Sequence, residues 1–145
     1  MEDKKSLSTD DIRARLERGE SAPKSQEWND SSAKEDRAQI DRDIYQKYKS
    51  RFKFGDAAAV SASQLSEFVS NEKQISRDGL IRMFLCLGYD LKTVNKYLLH
   101  LNGEALYVRN RRDYLIAESI SKGLSLMETE EVLLDNGEES LFPKK

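Results

Sequence analysis

One cysteine, two prolines and seven glycines in 145 residues leave this sequence short of what staples or turns a small sheet protein. The single cysteine, Cys86, cannot form an internal disulfide, and its place inside the apolar run 83–87 reads as core rather than as a reactive thiol. With so little glycine and proline, the turn chemistry of a many-stranded protein is missing. Long apolar runs are missing as well. The five residues 83–87 are the longest, too short for a membrane span, and no hydrophobic stretch follows residues 1–5 to make a signal peptide. The expectation is a cytoplasmic protein without a membrane partner. Histidine occurs once, at His100, with no cysteine or second histidine at metal-ligand spacing, and no glycine-rich phosphate loop occurs. No serine or cysteine has an evident histidine base, and the carboxylates fall on solvated faces or in tails. These absences argue against a metal, a cofactor and an enzyme.

What the sequence does hold is charge and repetition. Charged residues make up 34% of the chain against 38% hydrophobic, a helical composition that suits one domain with a small core. The net charge of −2 taken whole speaks against a polyanionic partner, but it is unevenly spread. Residues 1–37 hold eight basic and ten acidic groups, residues 38–123 fourteen and ten, and residues 124–145 two and six. A middle section of +4 between acidic ends allows a weakly basic face on the folded part. The repetition is stronger. Arg77-Asp78-Gly79-Leu80-Ile81 returns thirty-five residues later as Arg112-Asp113-Tyr114-Leu115-Ile116, and the match runs on through Gly88/Gly123, Leu91/Leu126, Leu98/Leu133 and Leu99/Leu134. One unit used twice predicts stacked helical hairpins, each burying a face that it could not bury alone.

Residues 1–37, rich in Ser, Asp, Glu, Lys and Arg, read as a disordered leader with scattered Ile12, Leu16 and Trp28. Ser8-Thr9-Asp10-Asp11 can cap a short helix there, so a protein partner bound through residues 1–37 stands beside a merely solvated leader. Ile40, Ile44, Tyr48 and Phe52 recur every four residues, the stripe of an amphipathic helix from about residue 35 to residue 49 or beyond. Phe54-Gly55-Asp56 interrupts it, and two short helical pieces follow, the second capped by Ser61. Ser76 caps the next helix, whose buried face is Leu80, Ile81, Phe84 and Leu85 and which Gly88 closes. Asp90 starts a helix with a seam of Leu91, Val94, Leu98 and Leu101, ended by Asn102-Gly103, with His100 packing or capping near its end. In the second copy residues 112–122 form the first arm, Gly123 the turn, and Ser125-Leu126-Met127-Glu128 a capping box. Asn136-Gly137 ends that helix, and residues 138–145 form a tail that folds back or frays.

Residues 51–70 carry the spacing of a helix-turn-helix. That motif needs apolar residues where its helices meet each other and the core, a small residue where they cross, and a tight turn. Phe54, Ala58, Val60, Leu65 and Phe68 fill the apolar sites, Gly55 the crossing and Ala59 the turn, where alanine at positive φ costs strain that glycine would not. Ser61, Ala62, Ser63, Gln64 and Glu67 then lie at the start and exposed side of the second helix, the part that enters a major groove. Gln64 is the best base reader, because its amide donates and accepts together and matches the adenine edge, while Ser63 suits a base or a phosphate. Asn71, Lys73 and Gln74, with the first amides of the helix begun by Ser76, can hold phosphates.

The order of segments resembles the Cro and phage-repressor-like, or XRE-type, helix-turn-helix regulators over roughly residues 38–103. It is most recognisable in Ser61-Ala62-Ser63-Gln64-Leu65-Ser66, in Asn71-Glu72-Lys73-Gln74-Ile75-Ser76-Arg77-Asp78, and in Leu80 and the helix ending near Gly88. That resemblance implies an all-α, five-helix domain, extended at 104–137 by a second hairpin like one seen in some bacterial proteins of this kind. It also implies regulation of transcription by binding double-stranded DNA as a homodimer, for which Leu126, Val132 and Leu133 offer a face. Arg109, Arg111 and Arg112 form the densest basic cluster and can clamp phosphate. Asp78 and Asp113 beside Arg77 and Arg112 point instead to salt bridges between the repeats. A helical adaptor that keeps the shape and binds protein, not DNA, is the rival reading.

Overall fold

The structure, a computed structural model, describes residues 31–143. Among those residues the protein is all-α, with seven helices and no strand: α1 Ser31–Tyr48, α2 Arg51–Ala58, α3 Ala62–Val69, α4 Arg77–Leu87, α5 Leu91–Asn102, α6 Arg111–Ser121 and α7 Leu126–Asp135. None of these helices is long and apolar enough to cross a membrane. Helix α1 begins at Ser31, ahead of the expected start, and its Asp36 is buried against Nδ1 of His100 at 2.6 Å. The rest of the expected leader, with Ile12, Leu16 and Trp28, lies outside the described residues.

Helix α1 ends before its apolar stripe does. Its stripe holds at Ile40 and Ile44, both fully buried, but the break comes at Lys49 and Ser50 rather than at Phe54-Gly55-Asp56. Lys49 adopts φ 72°, Ser50 is extended, and the Ser50 hydroxyl accepts the Lys53 amide at 3.1 Å, so a new helix is capped before the old stripe completes. Arg51 fixes the bend by donating twice to the Asp41 carboxylate, each bond 3.0 Å. A left-handed residue turns the chain, and the four-residue register is lost with it. Phe52 therefore falls on α2 and is 75% exposed, while Phe54 takes the buried place, edge-on to Tyr48 at 5.0 Å.

Helices α1 to α5 close over Ile40, Ile44, Phe54, Leu65, Phe68, Phe84 and Leu98. The hairpins α4–α5 and α6–α7 continue that core through Met83, Ile116 and Leu133. They are not stacked in one direction. α4 packs on α5 and α7, and α6 packs on α7 and α5, so each hairpin meets the other's opposite arm. Arg77 donates to Asp113 at 3.3 Å and Arg112 donates to Asp78 through two bonds of 3.0 Å. Exchange of equivalent residues marks a two-fold, isologous pairing within one chain.

The repeat also reaches further than the sequence match suggested. Arg77 donates to the carbonyls of Glu104 and Ala105 at 2.7 and 2.9 Å, and Arg112 to those of Glu139 and Ser140 at 3.1 and 3.0 Å. The Leu106 amide donates to Asn95 Oδ1 at 3.0 Å, and the Leu141 amide to Glu130 Oε1 at 2.9 Å, again thirty-five residues on. Leu106 and Leu141 are both buried. The segment following α7 thus folds back as the last piece of the second copy.

Candidate nucleic-acid interface

α2 and α3 form a bent pair whose geometry follows from three small residues. Ala58 is fully buried at the end of α2, and Ala59 turns the chain at φ 58°, ψ 45°. Gly55 sits where the pair crosses: a Cβ there would lie 2.1 Å from the Val60 carbonyl oxygen, so no larger residue fits without moving backbone. The Val60 amide in turn donates to the Gly55 carbonyl at 3.0 Å. Phe54, Val60, Leu65 and Phe68 are all buried, which turns the polar edge of α3 outward. A second left-handed residue, Asn71 at φ 63°, ends the α3 segment, and asparagine tolerates that conformation better than most residues.

Ser61, Ser63 and Gln64 are exposed at the start of α3, and Glu67 is half-buried one turn later. The Ser61 hydroxyl accepts the Gln64 amide hydrogen at 3.0 Å while Gln64 Oε1 accepts the Ser61 amide hydrogen at 2.9 Å, a complete capping box. The sequence carries this box as Ser-x-x-Gln, the same signal that marks Ser125 and Glu128, and it gives Gln64 a capping role beside any base reading. With Oε1 committed to the cap, only the Nε2 donors of Gln64 face outward, so the two-way match to adenine competes with the cap. A donor alone suits an acceptor edge, guanine O6/N7 or thymine O4.

Asn71, Lys73 and Gln74 are exposed in the loop after α3. Lys73 Nζ stands 3.8 Å from Glu67 Oε2, an exposed and loose pair, so the ammonium can turn to another anion. Asp56, Glu67 and Glu72 lie in or beside the same bent pair and make its surface electrically mixed.

The basic cluster is placed elsewhere. α3 packs on α1 and α2, whereas α6 packs on α5 and α7. Arg111 donates to the Asn136 carbonyl, to Asn136 Oδ1 and to Glu138 Oε2, at 2.9, 3.1 and 2.9 Å. Arg112 is committed to Asp78 and the final segment. These two arginines fasten the second copy, and Arg109 alone of the three stays in the exposed turn of residues 107–110 without such a fastening. Of the face expected for dimerisation, Leu126 is 5% and Leu133 0% exposed, and Val132 is half-buried. Leu126 and Leu133 belong to the core, and Met127 and Leu134 take the outward positions on α7. Cys86 is half-buried, and burial pushes its thiol up, away from reactivity.

Compared with known protein families, with curated proteins and with solved structures, the chain matches none.

Proposed function

We propose that the protein is a DNA-binding regulator of transcription that reads duplex DNA with the N-terminal edge of α3. The observation that carries this reading is the bent pair α2–α3, in which Phe54, Ala58, Val60, Leu65 and Phe68 turn inward and Ser61, Ser63 and Gln64 stay exposed at the leading end of the second helix. Lys73, Asn71 and Gln74 supply contacts to the phosphate backbone beside it. Two non-glycine residues in the left-handed region bracket α3, and strain of that kind is retained where the surroundings hold a segment in one conformation. The charges of this region are balanced, Arg51, Lys53 and Lys73 against Asp56, Glu67 and Glu72, so duplex binding is weak at physiological salt and gains from pairing two copies.

Titration of random duplex at stepped salt tests the reading. Affinity rises as salt falls, with a logarithmic slope of about −0.9 for each phosphate neutralised. Gln64→Glu keeps an oxygen for the capping box and replaces the outward donor with an acceptor. Binding-site selection is expected to show the preferred base at one position move to cytosine, whose N4 amine is a donor, with the helical content unchanged. Absence of duplex binding at low salt removes the proposal.

A protein-binding adaptor is the second reading. It draws on Phe52, 75% exposed beside an open depression of about 330 Å³ lined by Gly55, Asp56, Ala59 and Val60. An exposed aromatic ring next to a concavity suits a peptide better than a phosphate backbone. Loss of partner capture by Phe52→Ser, together with no duplex binding by the native chain, would establish it in place of the first.

A further inference from the structure

Arg82 lies inside the apolar run of α4 and is 5% exposed. Its guanidinium donates from Nε to the Ala58 carbonyl at 2.8 Å, from Nη2 to the Ala59 carbonyl at 3.2 Å and from Nη1 to the Leu141 carbonyl at 2.5 Å. The Phe142 ring covers it, 5.5 Å from the guanidinium carbon. The first two acceptors end α2, where carbonyls lack intrahelical donors and a positive charge is favoured. The third belongs to the segment folded back after α7. Glu130 grips that segment by accepting the Leu141 amide at 2.9 Å and the Ser140 hydroxyl, and Arg112 holds the Glu139 and Ser140 carbonyls.

The repeat shows what Arg82 is for. Its counterpart thirty-five residues on is Ala117, also buried, so the hairpin itself does not need an arginine there. What the first copy has and the second lacks is α2–α3 as a neighbour.

We propose that Arg82 is a positioning residue for the α2–α3 pair and that residues 139–142 control it, acting as an intrachain strap. With Leu141 and Phe142 seated, all three nitrogens of the guanidinium donate, one of its faces is covered, and the turn at Ala59 is held at one angle. With the strap lifted, one donor faces an interior without an acceptor, which is costly for a buried cation, and the side chain follows water outward and releases the turn carbonyls. The consequence for duplex reading rests on the function proposed above; the mechanical coupling does not.

The full chain carrying Glu130→Gln, which loosens the strap through a residue that makes no hydrogen bond to Arg82 but whose charge acts on the guanidinium, is compared with Arg82→Lys, which keeps the charge but lacks the planar fork that spans the three carbonyls. Residue-resolved amide exchange reads the turn at Ala59 and Val60 and the first hairpin at Val94 and Gly103. The expected result is exchange faster by about tenfold at Ala59 and Val60 in both variants, with Val94 and Gly103 unchanged. Native protection of the turn in both, or equal acceleration everywhere, overturns the coupling. Phe142→Ala gives a second route to the lifted strap, read in the same way. The functional arm uses a duplex recovered by site selection and its scrambled sequence. The ratio of the two affinities falls in Glu130→Gln, whereas an equal loss on both duplexes reports only less folded protein and overturns the positioning role. If the native chain binds neither duplex, the reading of function fails while the exchange result still decides the coupling.

Discussion

Gly55 and Ala59 stand four residues apart and do opposite things to the same bend. At Gly55 the missing Cβ is what lets the Val60 carbonyl approach, and the 2.1 Å contact that a methyl would make falls on backbone rather than on a side chain that can turn away. Gly55→Ala is expected to destabilise the fold by about 1–3 kcal/mol or more, seen as a lower urea midpoint with an unchanged slope. Ala59 is the reverse case, a left-handed alanine where glycine would sit without strain. Left-handed backbone costs an L-residue about 1–2 kcal/mol and glycine loses about 0.5–1 kcal/mol in chain entropy, so Ala59→Gly is expected to stabilise modestly, by up to about 1 kcal/mol, measured in the same denaturation series. Both positions were legible in the sequence because a helix-turn-helix asks for small residues at those offsets. Arg82 was not legible. Its partners are backbone carbonyls 23, 24 and 59 residues away, and a carbonyl belongs to every residue, so no side-chain pattern announces it. The Ser61–Gln64 box is visible as Ser-x-x-Gln, but a pattern of residue types does not say which of two tasks the amide of Gln64 serves.

Among the helices, those set by local chemistry were the easiest to read. Ser76, Asp90 and Ser125 cap α4, α5 and α7, each accepting an amide hydrogen three residues on, and Gly88 and Gly103 end α4 and α5 at positive φ. The boundary between α1 and α2 was harder, because Ile40, Ile44, Tyr48 and Phe52 keep perfect spacing across a break that Lys49 and Ser50 impose. Periodicity reports what a continuous helix would bury, not whether the helix continues. The pairing of the hairpins was half legible: the Arg-Asp duplication announced a link between the repeats, and only the structure shows that each arginine takes the other copy's aspartate. A double-mutant cycle on Asp78→Ala and Arg112→Ala is expected to give a coupling of about 0.5–1 kcal/mol, discounted because Asp78 is more than a third exposed, and to shrink in high salt.

Over the whole molecule, the shielded hydroxyls of three tyrosines, Tyr97 buried and Tyr48 and Tyr89 half-buried, make the fold sensitive to alkali. Tyr89 is pushed far above the ordinary tyrosine value, first by burial and then by its hydrogen bond to Asp43, and burial also raises Tyr48 and Tyr97. An unfolded phenol loses its proton at about pH 10 while the folded ones keep theirs, so each contribution is complete below that pH and unfolding releases protons above it. Stability is expected to fall as pH rises past about 10, with Tyr89 contributing up to roughly 1.4 kcal/mol per unit and the other two less, and Tyr89→Phe to lessen that slope in urea midpoints taken at stepped pH. The two-fold pairing has another effect. Since Arg77 answers Asp113 just as Arg112 answers Asp78, neither hairpin carries a mark telling its own companion from that of a neighbouring molecule. Only the short connector of residues 107–110 keeps the two at high local concentration. Deleting Val108 and Arg109 is expected to drive crowded refolding mixtures into interlocked dimers on size exclusion, two chains trading halves through contacts that no folded chain had to invent.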